Sequence, residues 1–179
     1  WIPVFLGTLF QQFYNMVDSV IVGRFVGTNA LGAVGSVGSI TFLFFSLCMG
    51  LGSGIGILIS QYFGAGEEEY VKKIIANSIY ITLVTGLLMS LCGAALAEPI
   101  LHLMHTPAEN FADALVYMRI VCGFTVVVAG YNTVSAELRA LGDAKTPLIF
   151  LGVASGLNVV LDLLFVVPMQ MGVAGAAWA

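Results

Sequence analysis

Charge is missing from this sequence over distances that decide its solvent. No Asp, Glu, Lys or Arg occurs in the 42 positions between Arg24 and Glu67, the 24 between Lys73 and Glu98, the 17 between Arg119 and Glu137, or the 16 between Lys145 and Asp162. A helix needs about 20 mostly apolar residues to cross a hydrocarbon core. Of the 179 residues 59% are hydrophobic and 9% charged, too few charges to coat a water-facing surface. That composition excludes a soluble enzyme and a disordered segment. A formal net charge of -4 also denies the chain the basic patches of a nucleic-acid binder. The sequence describes an integral membrane protein.

Five spans are predicted, at about 3–26, 34–62, 74–97, 114–136 and 148–167, with a sixth beginning near Gly172. Turn chemistry separates them: Gly27-Thr28-Asn29, Gly64-Ala65-Gly66, Glu98-Pro99, Gly142-Asp143 and Pro147, then Pro168. The 98–113 segment is the longest connection and is expected to be partly helical. None of the spans alternates apolar and polar residues as a barrel strand would, so the fold class is all-α, a polytopic helical bundle. The chain starts Trp1-Ile2-Pro3 without an initiating Met or basic leader and stops inside a new apolar run. It is therefore expected to be part of a longer protein, most of one six-helix lobe spanning 1–179. Cys48, Cys92 and Cys122 each sit in an uncharged stretch, which suits helix packing and not a disulfide framework.

Loops two and four carry Lys72, Lys73, Arg139 and Lys145, against Arg24 and Arg119 on the other side. Basic residues mark the cytoplasmic face, which puts the entry to span one in the cytoplasm as well. Glu68 with Lys72 and Glu69 with Lys73 are i,i+4 pairs in the favourable order, so the acidic run Glu67–Glu69 reads as a solvated helix start.

Ionisable residues within spans are costly and point to function. Asp18 in span one and Asp162 in span five lie about 13 and 9 Å from the outer ends of helices that run the same way, at 1.5 Å per residue. The two carboxylates are thus expected at similar depth. Thr8, Gln11, Asn15 and Asp18 form one stripe on span one; Ser155, Asn158 and Asp162 form another on span five. Such stripes must face a water-filled cavity or other helices, which makes Gln11 and Asn15 cavity candidates. Interhelical hydrogen bonding would explain amides and hydroxyls alone. Two carboxylates at one depth, each with an Asn on its face, favour a proton or cation site, because close carboxylates cannot both ionise easily.

Gly50-Leu-Gly52-Ser-Gly54-Ile-Gly56 lacks the Lys-Ser/Thr of a phosphate loop and reads as small-xxx-small helix packing. His102 and His105 read as loop residues and not as metal ligands. Nothing pairs a nucleophile with a base, and an aspartyl-protease reading of the two aspartates lacks its motif, so no enzyme is expected.

Several segments together resemble the multidrug and toxic compound extrusion (MATE) family. They are Gln11-Gln12-Phe-Tyr-Asn15-Met-Val-Asp18-Ser-Val-Ile-Val-Gly23, Ile59-Ser-Gln61-Tyr-Phe-Gly64-Ala-Gly66, Leu138-Arg139-Ala-Leu-Gly142-Asp143-Ala-Lys145-Thr-Pro147, Leu157-Asn158-Val-Val-Leu161-Asp162 and Gly172-Val-Ala-Gly175. The resemblance implies a secondary active antiporter of twelve helices in two lobes, in a bacterial plasma (inner) membrane. It would export cationic amphipathic drugs in exchange for protons or sodium ions by alternating access. The implied ion-coupling residues are Asp18, Asp162 and Asn158, with Tyr117 and Asn132 placed by register. No cofactor and no metal other than a transported sodium ion is implied; the partners are cationic small molecules, membrane lipid and a second lobe of the same chain. The alternative within the same superfamily is a lipid-linked oligosaccharide flippase, which would need cationic cavity residues where this chain has acidic ones.

Overall fold

The computed structural model describes residues 28–179 and, before them, Phe5, Gly7, Leu9, Gln12, Phe13, Met16, Val17, Val20 and Arg24. Its elements are α1 (Thr28–Gly64), α2 (Glu68–Leu103), α3 (Ala108–Gly123), α4 (Thr125–Ala140), α5 (Lys145–Val166) and α6 (Gly172–Trp178). Among the described residues, α1 over Val37–Gly64, α2 and α5 are long and apolar enough to cross a membrane. The pair α3 and α4 makes a fourth crossing if taken as one bent span. The predicted helical membrane bundle is what the structure shows, and the chain is a multi-pass membrane protein.

The turns before α2 and α5 form where the sequence places glycine. Gly66 and Gly142 adopt φ of 78° and 94°, a left-handed conformation open to glycine at no steric cost. Beside them Glu67 N–H reaches Tyr62 O at 3.0 Å and Asp143 N–H reaches Leu138 O at 2.9 Å, satisfying carbonyls at the ends of α1 and α4. Of the two ion pairs expected at the start of α2, Glu69–Lys73 closes at 2.7 Å. The Lys73 ammonium also lies 5.4 Å from the centre of the Tyr70 ring, which stacks on Tyr62.

Asp143 starts α5. Its Oδ1 accepts from Lys145 N–H at 3.1 Å and Thr146 N–H at 3.0 Å, donors that a helix start leaves without intrahelical partners. The Thr146 side chain and N–H, with help from Lys145, hold this carboxyl below its usual range. A depressed carboxylate stabilises the fold above its unfolded pKa of about 3.9 and ceases to do so as pH falls through the folded value. Asp143→Ala is therefore expected to lower the thermal midpoint in detergent at pH 7. The gap from wild type should close as the sample is acidified below pH 4.

The 98–113 connection is partly helical, as expected: α2 runs through Pro99 to Leu103 and α3 begins at Ala108. Proline removes one ladder bond from a helix interior. Here Ala97 and Leu101, both fully buried, pack in one core cluster with Val37, Ala114, Met118 and Cys122, and that packing carries the helix past the proline. Span four departs from the expectation of one unbroken segment: α3 and α4 meet at Phe124 with a bend of 43°.

This broken span is the inner post of the bundle, held between α1 and α2 by close glycine contacts. A Cβ on Gly52 would stand 3.0 Å from Asn132 O, and one on Gly86 would stand 2.9 Å from Val126 Cα. One on Gly93 would meet Cys122 Cβ at 2.8 Å. Small-xxx-small packing thus holds for Gly52 and Gly56, whereas Gly50 and Gly54 face open space. The helix α6 leans on both neighbours: Trp178 meets Phe124 edge-on at 5.2 Å, and Gly175 sits against Phe165 of α5.

Candidate functional site

The stripe Ser155, Asn158, Asp162, Val166 follows helical spacing along α5, while Ile149, Phe150, Val153, Leu157 and Val160 on other faces are exposed. The apolar faces pull the stripe inward, since lipid cannot satisfy polar side chains. Asp162 is fully buried. One turn earlier, Asn158 Oδ1 is buried without a hydrogen-bond partner. A buried amide oxygen lacking a donor loses about 1–3 kcal/mol unless something supplies positive charge or a hydrogen. Ser155 is satisfied within its own helix, its hydroxyl donating to Leu151 O at 2.8 Å. One turn of α5 therefore carries a buried carboxyl and an amide oxygen that together can hold a proton or a small cation.

The other predicted site residues divide. Gln11, Asn15 and Asp18 lie outside the described residues, as does Thr8. Gly7 is described, and a Cβ there would lie 3.5 Å from Leu151 Cδ2, which puts Gly7 itself beside the first half of α5. Tyr117 is half-buried and packs against the core cluster from the middle of α3. Asn132 donates from Nδ2 to Val128 O of its own helix at 2.9 Å. It lies eight residues from the end of α4 and Asp162 seventeen from the start of α5. At 1.5 Å per residue this puts Asn132 about 13 Å nearer the turn between α4 and α5 than Asp162. The structure does not bring Asn132 and Asp162 together.

A second polar group, absent from the sequence reading, lies between α2 and α4. Ser78 Oγ is 2.5 Å from Glu137 Oε1, and the Thr82 and Thr133 hydroxyls are 3.0 Å apart. Higher up, Val126 N–H donates to Ser90 Oγ at 2.9 Å, replacing a ladder bond lost at the break, while the Thr125 hydroxyl is buried without a partner. The signal was present as a four-residue beat of small side chains, Ser78, Thr82, Gly86 and Ser90, matched on α4 by Thr125, Ala129, Thr133 and Glu137. Glu137 stands one residue past the predicted end of span four. Ser90→Ala would leave the Val126 N–H buried without an acceptor, and the thermal midpoint in detergent should report a loss of about 1–3 kcal/mol.

The model of the MatE family matches residues 3–164. The chain is 35% identical over 179 residues to the "Probable multidrug resistance protein YpnP" of Bacillus subtilis (strain 168), covering 99% of this chain and 40% of that protein. It is similar to a MOP superfamily transporter from Pyrococcus furiosus described as having a binding pocket of reverse polarity. That structure gives a TM-score of 0.94 at 28% identity over 99% of this chain and 39% of that one. A multidrug resistance MATE family transporter in an outward-facing conformation gives the same values. The chain spans about 40% of the length of the curated relatives it matches.

Proposed function

Because this chain belongs to the MatE family, we propose that it works within a secondary antiporter exporting cationic amphipathic compounds in exchange for protons or sodium ions. The observation that carries the reading is Asp162, a fully buried carboxyl one turn from the unpartnered Asn158 Oδ1. A carboxyl so placed can hold a proton, a sodium ion or the charge of an organic cation, and occupancy by one excludes another. Asp18, from the parallel first span, is the proposed second carboxyl, with Gln11 and Asn15 lining the cavity between them. Loading the pair with the coupling ion removes negative charge from the lobe and releases the bound cation outward, so alternating access needs a gradient and no cofactor. The remaining lobe of the protein would supply the other wall of the substrate cavity. The setting is a bacterial plasma membrane, with the entry to span one cytoplasmic.

The similarity to YpnP, a probable multidrug resistance protein, supports the substrate class. Dye efflux from cells producing the protein, with the sodium and proton gradients varied separately, tests the reading. Efflux that follows one gradient is the expected result. Dye retained under every gradient, as a lipid-linked oligosaccharide flippase would leave it, overturns the antiport.

A further inference from the structure

A shallow groove opens between α2 and α4. Ile79 and Leu83 line it on α2, Val126, Gly130 and Val134 line it on α4, and Glu137 stands at one end. Ile79, Leu83 and Val134 are each more than half exposed, so the groove is open along its length. Its volume of about 130 Å³ falls below the roughly 300–1,000 Å³ of a pocket that encloses a small molecule. It suits one flank of a molecule whose other flank stays in hydrocarbon.

The two ends of the groove differ in their surroundings. Glu137 is three residues from the end of α4, and beyond it lie Arg139, Asp143 and Lys145 at the turn into α5. On α2 its level is that of Ser78, and the charged residues Glu68, Glu69, Lys72 and Lys73 all come before that level. Charges gathered beyond one level on both helices mark the edge of the membrane. Val126, at the other end, is eleven residues away along α4, about 16 Å into the apolar zone at 1.5 Å per residue.

Only Glu137 gives the groove a charge. The Thr82 and Thr133 hydroxyls at its base bond each other at 3.0 Å. Glu137 Oε1 accepts from the Ser78 hydroxyl, a neutral donor. The ion pairs among the described residues are Lys73–Glu69 and Arg119–Glu98, and neither offsets this carboxylate. Lys72, Arg139 and Lys145 are exposed to water. A carboxylate at the rim of the hydrocarbon attracts positive charge, and the apolar trough leading inward from it offers a chain van der Waals contact. Gly130 supplies the width, since nothing lies within 4 Å of the position its Cβ would take.

We propose that this groove docks a lipophilic amine from the membrane, its ammonium on the Glu137 carboxylate and its apolar body along Ile79, Leu83 and Val134. Such a molecule lies in a bilayer with its charge at the interface and its chain inward, which is the order of the groove. A neutral lipid chain would fill the trough and leave the carboxylate unmet, and an anionic amphiphile would be repelled. The groove shares no residue with the Asn158–Asp162 site on α5. What becomes of the docked amine rests on the antiport reading; its docking does not.

Dodecylamine with a mid-chain diazirine, added to the full protein in phosphatidylcholine vesicles, tests this once the cross-linked peptides are mapped by mass spectrometry. Label is expected on the segments of α2 and α4 that line the groove. It should fall by about tenfold in Glu137→Gln, which loses the charge while its amide oxygen still accepts from Ser78. Gly130→Leu should remove the label by filling the groove with the carboxylate intact, and the open space beside Gly130 lets that variant fold. The matching dodecanol probe should label weakly, and equally in wild type and E137Q. Equal labelling by amine and alcohol, as an ordinary acyl chain would give, overturns the proposal. Amine label unchanged in folded E137Q or G130L also overturns it. So does a groove without label, as a trough covered by the rest of the protein would give. Label lost in E137Q with dye retained under every gradient supports the groove while overturning the antiport. Intact efflux with label unchanged in E137Q overturns the groove alone.

Discussion

Asp162→Asn should reduce ion-driven dye efflux to the level of cells lacking the protein, with the amount of protein in the membrane unchanged. The carboxyl is fully buried on the inward stripe of α5, and an amide there has nearly its shape. Shape is therefore preserved, and what disappears is the ability to take a proton or neutralise a cation. Quantified membrane fractions alongside efflux separate lost coupling from lost protein. Wild-type efflux in this variant would remove Asp162 from the mechanism.

Gly93→Leu should have the largest effect on folding, with little monodisperse protein recovered in detergent. A Cβ at this position would already stand 2.8 Å from Cys122 Cβ and 3.3 Å from a ring carbon of Phe44. Three helices would have to part to admit the side chain. Overpacking costs about 1–3 kcal/mol even where the surroundings can yield, against a total stability of about 5–15 kcal/mol. Gly54→Ala is the control: nothing lies within 4 Å of its Cβ, and removing a mid-helix glycine gains about 0.5–1 kcal/mol. Size-exclusion profiles of the two variants should diverge sharply. Equal recovery would mean that the α2–α3 contact is not a constraint on the fold.

Most of the bundle was legible from where charges are missing, because a hydrocarbon solvent punishes them in proportion to depth. The departures come from packing, which hydropathy does not carry. Nothing local announces that α2 continues past Pro99; that outcome belongs to Ala97 and Leu101 and their partners on α3. The break at Phe124 has no proline to mark it and depends on Ser90, a residue 34 positions earlier in the sequence. At the candidate site, Asp162 and Asn158 could be read from helical spacing on one span. Asn132 shared the chemistry but not the depth, since loop length sets how far antiparallel helices carry their residues apart. Glu137 escaped because its polar partners sit on a different helix, and a sequence read span by span does not pair them.

The open joint in span four bears on how the chain is made. In a bilayer each unsatisfied backbone group costs several kcal/mol. Neither α3 nor α4, at 16 residues each, has the length to cross unaided. The Val126 N–H is met by a hydroxyl from α2, and α2 is synthesised first. Span four thus enters a membrane where its acceptor and its glycine-lined berth already stand. The order in which the spans are made is thus the order in which the joint needs them, acceptor first and donor second.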